Sequence, residues 1–175
     1  MTNPADTSLL RLRAGALLRP FHVVLVEPEI PPNTGNIARL CAATNSVLHL
    51  VGRLGFSIDE HAVRRAGLDY WHLVDLRQHD TLEQAEQSGP SARTWLFSGK
   101  SSTNYLNVRF QPGDRLVFGK ESVGLPESLL QERPSEVIAI PTLGQVRSLN
   151  LANAVSIALY EALRQVGALT ETSLG

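Results

Sequence analysis

Residues 21–39 read FHVVLVEPEIPPNTGNIAR: an apolar run, a proline-rich turn and a polar helix start in immediate succession. The run Phe21–Val26 is rich in β-branched residues and lies between Pro20 and Pro28, the pattern of a short buried strand. Glu27–Pro32 reads as loop, because its prolines lack amide donors and bias their predecessors away from helical angles. Asn33 or Thr34 then caps a helix running to about Ala43.

The same alternation continues along the chain. Strands are expected at 47–51, 72–76, 94–97, 115–118 and 137–140, and helices at 60–66, 81–87 and 149–165. Gly67 stops the first of these helices and Gly167 the last. Such alternation predicts an α/β fold, a mostly parallel sheet with helices on both faces. The final helix carries Leu151, Ala152, Ala154, Val155, Ile157, Ala158, Leu159, Ala162 and Leu163, apolar nearly all round. A helix of that kind is covered by core on one side and by core or a second subunit on the other. No repeat or linker divides the chain. The reading is one domain over 21–167, with an extension at 1–20 and a tail at 168–175.

Composition narrows the function classes. No apolar run approaches the ~18 residues a membrane span needs. Residues 1–20 intersperse Arg11, Arg13 and Arg19 among leucines instead of placing charge before an apolar core, so they do not read as a secretory leader. One cysteine, Cys41, excludes a disulfide framework and is compatible with the cytoplasm. The five histidines show no metal-ligand spacing, so no metal is expected. A net charge of −1 means that a nucleic-acid partner must be held by a local basic cluster. Arg39, Arg53, Arg64, Arg65 and Arg147 are the candidates. No GxGxxG follows a strand and no Walker loop occurs, which removes support from a dinucleotide- or nucleotide-binding reading.

Three segments put glycine and polar residues at strand ends, where open α/β sheets bind ligands. They are NTGNIAR at 33–39, LVFGKESVGLP at 116–126 and IAIPTLGQVRSLN at 138–150. Taken singly, each has a plain reading: a capped helix with a surface arginine, a tight turn, and helix caps at Ser148 and Asn150.

Taken together, they resemble the three motifs of the SPOUT superfamily of RNA 2′-O-methyltransferases. VEPEIPPNTGNIARLCA and RRAGLDYWH are similar to its small TrmL-type members, which methylate the wobble nucleotide (cytidine or modified uridine 34) of certain leucine tRNAs. The resemblance covers residues 21 to about 167. It implies a C-terminal trefoil knot, S-adenosylmethionine as cofactor, a homodimer with the site at its interface, and tRNA rather than DNA as partner. It places Phe97, Gly119, Ile140, Ser148 and Leu149 around the cofactor and Asn33, Arg39, Glu121, Ser148 and Asn150 at the active site. It places Tyr160 at the dimer interface. Arg64 and Arg65 are our choice for an RNA-facing pair. Lys120 departs from the family, which often has proline or asparagine there.

The reaction so implied is an in-line displacement, in which the ribose oxygen attacks the methyl carbon, the sulfonium sulfur leaves as a neutral thioether, and the hydroxyl loses its proton. Arg39 is the family's candidate base, but an arginine titrates near ~12.5–13.8 and is a poor acceptor at neutral pH. A guanidinium forked onto the neighbouring phosphate is the role we prefer for it. The competing readings are action on another tRNA position or on rRNA, and an RNA-binding module without catalysis on the same fold.

Overall fold

The computed structural model describes residues 14–56 and 70–170. Its strands are β1 His22–Val26, β2 Val47–Val51, β3 Leu76–His79, β4 Thr94–Phe97, β5 Arg115–Phe118 and β6 Val137–Ile138. Its helices are α1 Pro31–Thr44, α2 Leu82–Gln87, α3 Glu127–Glu132 and α4 Leu151–Gln165. The strands form one sheet in the order β3-β2-β1-β5-β4-β6, every pair parallel.

Both faces of the sheet are covered, which is why its strands read as continuous apolar runs. Val23, Leu25, Leu48 and Leu50 pack with Ile37 and Cys41 of α1 and with Val155 and Leu159 of α4. Val24, Val51, Leu96 and Val117 pack on the opposite side with Ala85 of α2 and Leu130 of α3. Cys41 is a packed thiol, its burial pushing it up to about 12. The segment before β1 lies against the chain end: Gly15 N–H donates to Ala168 O at 2.7 Å and Leu17 packs on the core.

The element boundaries differ from the sequence reading at instructive places. Pro31 and Pro32 are the first two residues of α1, and neither Asn33 nor Thr34 is its cap. The first-turn amides have no helical partner in any case, so proline loses nothing there. The strand expected at 72–76 is a 3₁₀ turn, Trp71–Leu73, with β3 beginning at Leu76. β6 ends at Ile138 rather than 140. Helix α3 was not expected, and the helix expected at 60–66 lies outside the described residues. α4 begins at Leu151 with Asn150 alone as its cap, so Leu149 and Ser148 belong to the preceding loop. α4 is also not apolar all round. Leu151, Val155, Leu159 and Leu163 face the core, while Asn153, Ile157, Tyr160 and Arg164 face outward.

Among the described residues, no helix is long and apolar enough to cross a membrane.

Candidate active site

The sheet order places a switch point between β1 and β5. From β1 the chain moves outward through α1 to β2, whereas from β5 it moves the other way through α3 to β6. The loops leaving these strands therefore diverge, and the crevice between them is where such sheets bind ligands. The three sequence segments meet at this end of the sheet, linked by hydrogen bonds between residues up to 117 positions apart.

Asn33 and Glu121 form the centre of that network. Asn33, buried in the first turn of α1, donates from Nδ2 to Glu121 Oε1 at 2.9 Å. Asn150 Nδ2 donates to Asn33 Oδ1 at 2.9 Å. Asn150 Oδ1 accepts from the amides of Ala152 and Asn153 at 2.9 and 3.3 Å, capping α4. Both ends of each amide are thus in use, so each is locked in one orientation. Glu121 also accepts from the amides of Glu29 and Ile30 at 2.8 and 3.2 Å. A carboxylate 91 residues away takes up the amide at the α1 N-cap, where Ile30 has no side chain to offer. Burial alone would raise the Glu121 carboxyl. The hydrogen bonds from Asn33 and from backbone amides outweigh it and hold the group below its ordinary value.

The contact is reciprocal. Glu29 accepts from the amide and hydroxyl of Ser122, both at 3.0 Å. Arg147, on the loop before α4, donates to Ser122 O at 3.3 Å. Lys120 pairs with Glu27 at 2.7 Å, which draws the Glu27 carboxyl down. The Lys120 carbonyl accepts from the Gly124 amide at 2.8 Å, so the lysine is accommodated in a closed turn. Gly119 is required by that turn itself. A Cβ on it would lie 2.0 Å from the carbonyl carbon of Gly124 and 2.2 Å from the Leu125 nitrogen. Its bare backbone makes room for the backbone of Gly124 and Leu125.

Not every expected residue joins this network. Ser148 is exposed and makes no hydrogen bond among the described residues. Arg39 is exposed on another face of α1, its guanidinium carbon 5.0 Å from the centre of the Tyr70 ring. Arg64 and Arg65 lie outside the described residues. Glu29, Ser122 and Tyr70 were missed as site residues, because pairing across 93 positions leaves no periodicity to read.

Among the described residues, an apolar surface lies at the ends of β4, β5 and β6 that face the crevice. Phe97 stacks on Phe118 with centroids 4.6 Å apart, and Ile138 lies beside Phe97 in register. Next to this apolar floor, residues 140–149 take part in no backbone–backbone hydrogen bond among the described residues. Apart from the Gly144 amide, which donates to Thr142 Oγ1 at 3.3 Å, their amides and carbonyls are open to a ligand, and covered backbone groups are rarely left without partners. Ile140 and Leu149 are half-buried at the two ends of that loop. This donor set fits S-adenosylmethionine, whose adenine needs an apolar slot with backbone partners. No group of acidic, histidine or cysteine side chains suited to a metal occurs among the described residues. A cleft of about 560 Å³ opens at the other end of β4 and β5, lined by Arg93, Arg115 and Arg133. Arg93 and Arg133 there are already paired, with Asp114 and Glu86, so that cleft is not taken as the site.

A parallel α/β protein whose switch-point crevice is built from three linked loops is the class that fold and site define. Residues 20–160 match the model of the SpoU rRNA Methylase family. A tRNA (cytidine(34)-2'-O)-methyltransferase of Burkholderia ambifaria is 46% identical over 151 residues, covering 84% of this chain and 96% of that one. A structure described as giving insights into the 2-OH methylation of C/U34 on tRNA is 47% identical. It covers 85% of this chain and 97% of its own, with a TM-score of 0.78. An AdoMet-bound rRNA methyltransferase of Sinorhizobium meliloti is 25% identical with a TM-score of 0.71, covering 86% of this chain and 58% of that one. The chain belongs to the SpoU methylase family, S-adenosylmethionine-dependent RNA 2′-O-methyltransferases of the SPOUT superfamily.

Proposed function

We propose that this enzyme methylates the ribose 2′-oxygen of nucleotide 34, cytidine or modified uridine, in leucine tRNAs. The two relatives of 46% and 47% identity are both described by nucleotide 34 of tRNA, and they align over nearly their whole length. On the chain itself, the observation that carries the reading is the bond chain Asn150–Asn33–Glu121, which joins all three motifs at one point.

The residues divide the work by chemistry. S-adenosylmethionine, when bound, supplies an electrophilic methyl group. Phe97, Gly119, Ile140, Ser148 and Leu149 are assigned to its pocket. Arg39 forks onto the phosphate beside the target ribose and sets the hydroxyl in line, the step that alignment serves most. Glu121 is held ionised with its oxygens engaged, so it orients Asn33 and the Glu29 and Ile30 amides at the entry to α1 rather than taking the substrate's proton. Asn33 and Asn150 fix the start of both helices against each other. The Asn104–Ala139 bridge joins loop 98–104 to the start of the segment 139–150, the region to which the C-terminal knot is assigned. Ile157 and Tyr160, 38% and 47% exposed on the outer side of α4, are assigned to a homodimer interface. Arg64 and Arg65 are assigned to the tRNA surface, and the enzyme to the cytoplasm.

Methyl-tritiated cofactor, offered with total tRNA or with rRNA, tests this. Label is expected in tRNA, and mass spectrometry should map it to the ribose of nucleotide 34 in leucine isoacceptors. Label in rRNA alone would favour the competing substrate, and label in neither would favour an RNA-binding module.

A further inference from the structure

Arg39 carries much of the proposed chemistry, yet none of the Asn33–Glu121–Asn150 bonds reaches it. The residue that does reach it is Tyr70, in the RRAGLDYWH segment, for which the sequence reading gave no site role. We propose that Tyr70 is a positioning residue that presents the Arg39 guanidinium to an RNA phosphate. The proposal rests on Arg39 being the phosphate anchor.

Three observations support it. The Tyr70 hydroxyl donates to Gly35 O at 3.0 Å. Gly35 stands four residues before Arg39, so that carbonyl belongs to the same helical turn. The ring therefore spans this turn, and the guanidinium carbon lies over it at 5.0 Å from the centroid. The platform is itself anchored. The Tyr70 carbonyl accepts from the Leu73 amide at 2.9 Å, and Tyr70, Trp71 and Val74 all pack on the core cluster.

The geometry suits a waiting anchor. The contact is with the ring's π face, and among the described residues no hydrogen bond or ion pair engages the Arg39 N–H groups, so they stay open to a bidentate acceptor. A carboxylate partner would consume them, and among the described residues none is paired with Arg39. A long exposed side chain otherwise samples many rotamers, and ordering it beforehand lowers the cost of forming the productive contact.

Single-turnover methylation of tRNA, with tRNA and cofactor affinities measured in parallel, tests the proposal. Tyr70→Leu should slow transfer by about tenfold and weaken tRNA binding, leaving cofactor affinity unchanged. Tyr70→Phe keeps the ring and should lose less. Fluorinating that phenylalanine ring preserves its shape while draining its negative face, and should slow transfer stepwise; this arm stands even if Tyr70→Leu does not fold. In an Arg39→Lys background, Tyr70→Leu should cost less than about twofold, since the partner is already altered. A normal rate in Tyr70→Leu, an undiminished tenfold loss in the lysine background, indifference to fluorination, or a parallel loss of cofactor affinity would each overturn the proposal. Full activity in Arg39→Ala would remove the anchor reading and this proposal together. An inactive Arg39→Ala beside a normal Tyr70→Leu would remove this proposal alone.

Discussion

Replacing Asn33 by aspartate is nearly isosteric, but it turns the hydrogen bond at the centre of the site into a collision of like charges. The amide nitrogen that donates to Glu121 Oε1 at 2.9 Å becomes an oxygen. Two carboxylates at that distance repel by about 6 kcal/mol at an effective dielectric of 20. The folded protein avoids this by taking up one proton, shared between the pair. Protonating a group whose free value is near ~4.3 costs about 3–4 kcal/mol at pH 7. That sum caps the destabilisation, and the Asn150 bond to the remaining oxygen survives. The sign then follows. The folded variant binds a proton that its unfolded chain releases, so the variant's deficit against wild type grows from pH 5 to pH 7 by about 1.4 kcal/mol per unit. Asn33→Ala has no such titration, and its loss of about 2–4 kcal/mol should change little over that range. Urea unfolding of the three proteins at pH 5, 6 and 7, followed by tryptophan fluorescence, measures these differences. An aspartate deficit that stays level across the series, or stays below 1 kcal/mol at pH 7, would refute the central role given to this bond.

Further outcomes follow from other parts of the molecule. Gly119→Ala should destabilise the fold by about 2–4 kcal/mol even without cofactor, because its Cβ meets the Gly124 backbone at 2.0 Å. Unchanged stability with lost cofactor binding would return Gly119 to a purely ligand-facing role. Tyr160→Asp should yield a monomer of about 19 kDa by light scattering, whereas wild type should give twice that mass; a monomeric wild type would refute the assigned interface. His22, His49 and His79 form a hydrogen-bonded ladder across β1, β2 and β3, at 2.8 and 2.9 Å. Burial lowers His22 to about 4 and His49 to about 3. The unfolded chain therefore binds protons first, so the stability these groups contribute is complete above about pH 6.5 and is lost as pH falls toward 4. The loss is about 3 kcal/mol for each of His22 and His49. Imidazole titrations by NMR with midpoints near 6.5 would contradict it.

The sequence by itself determined the parallel α/β class, five of the six strands to within a few residues, and the motif positions. Those are local properties. A β-branched run between prolines or glycines reads as strand in any company, and a chain covered on both faces must alternate apolar runs with helices. The boundaries it missed depended on position in three dimensions. Pro31 and Pro32 begin α1 because a first turn needs no donors from them, and the Glu29 and Ile30 amides just before it find their acceptor in Glu121, far along the chain. The same holds for the site. Asn33, Glu121 and Asn150 were legible as motif residues, but their mutual bonds, the Glu29–Ser122 contact and the place of Tyr70 over Arg39 were not. The histidine ladder, scattered in the sequence, exists only because strand register sets three rings on one face. Polar contacts between residues 88 or 117 positions apart leave no spacing to detect. They are decided by which strand ends the sheet brings together, and the strand order that does so is a property of the folded chain.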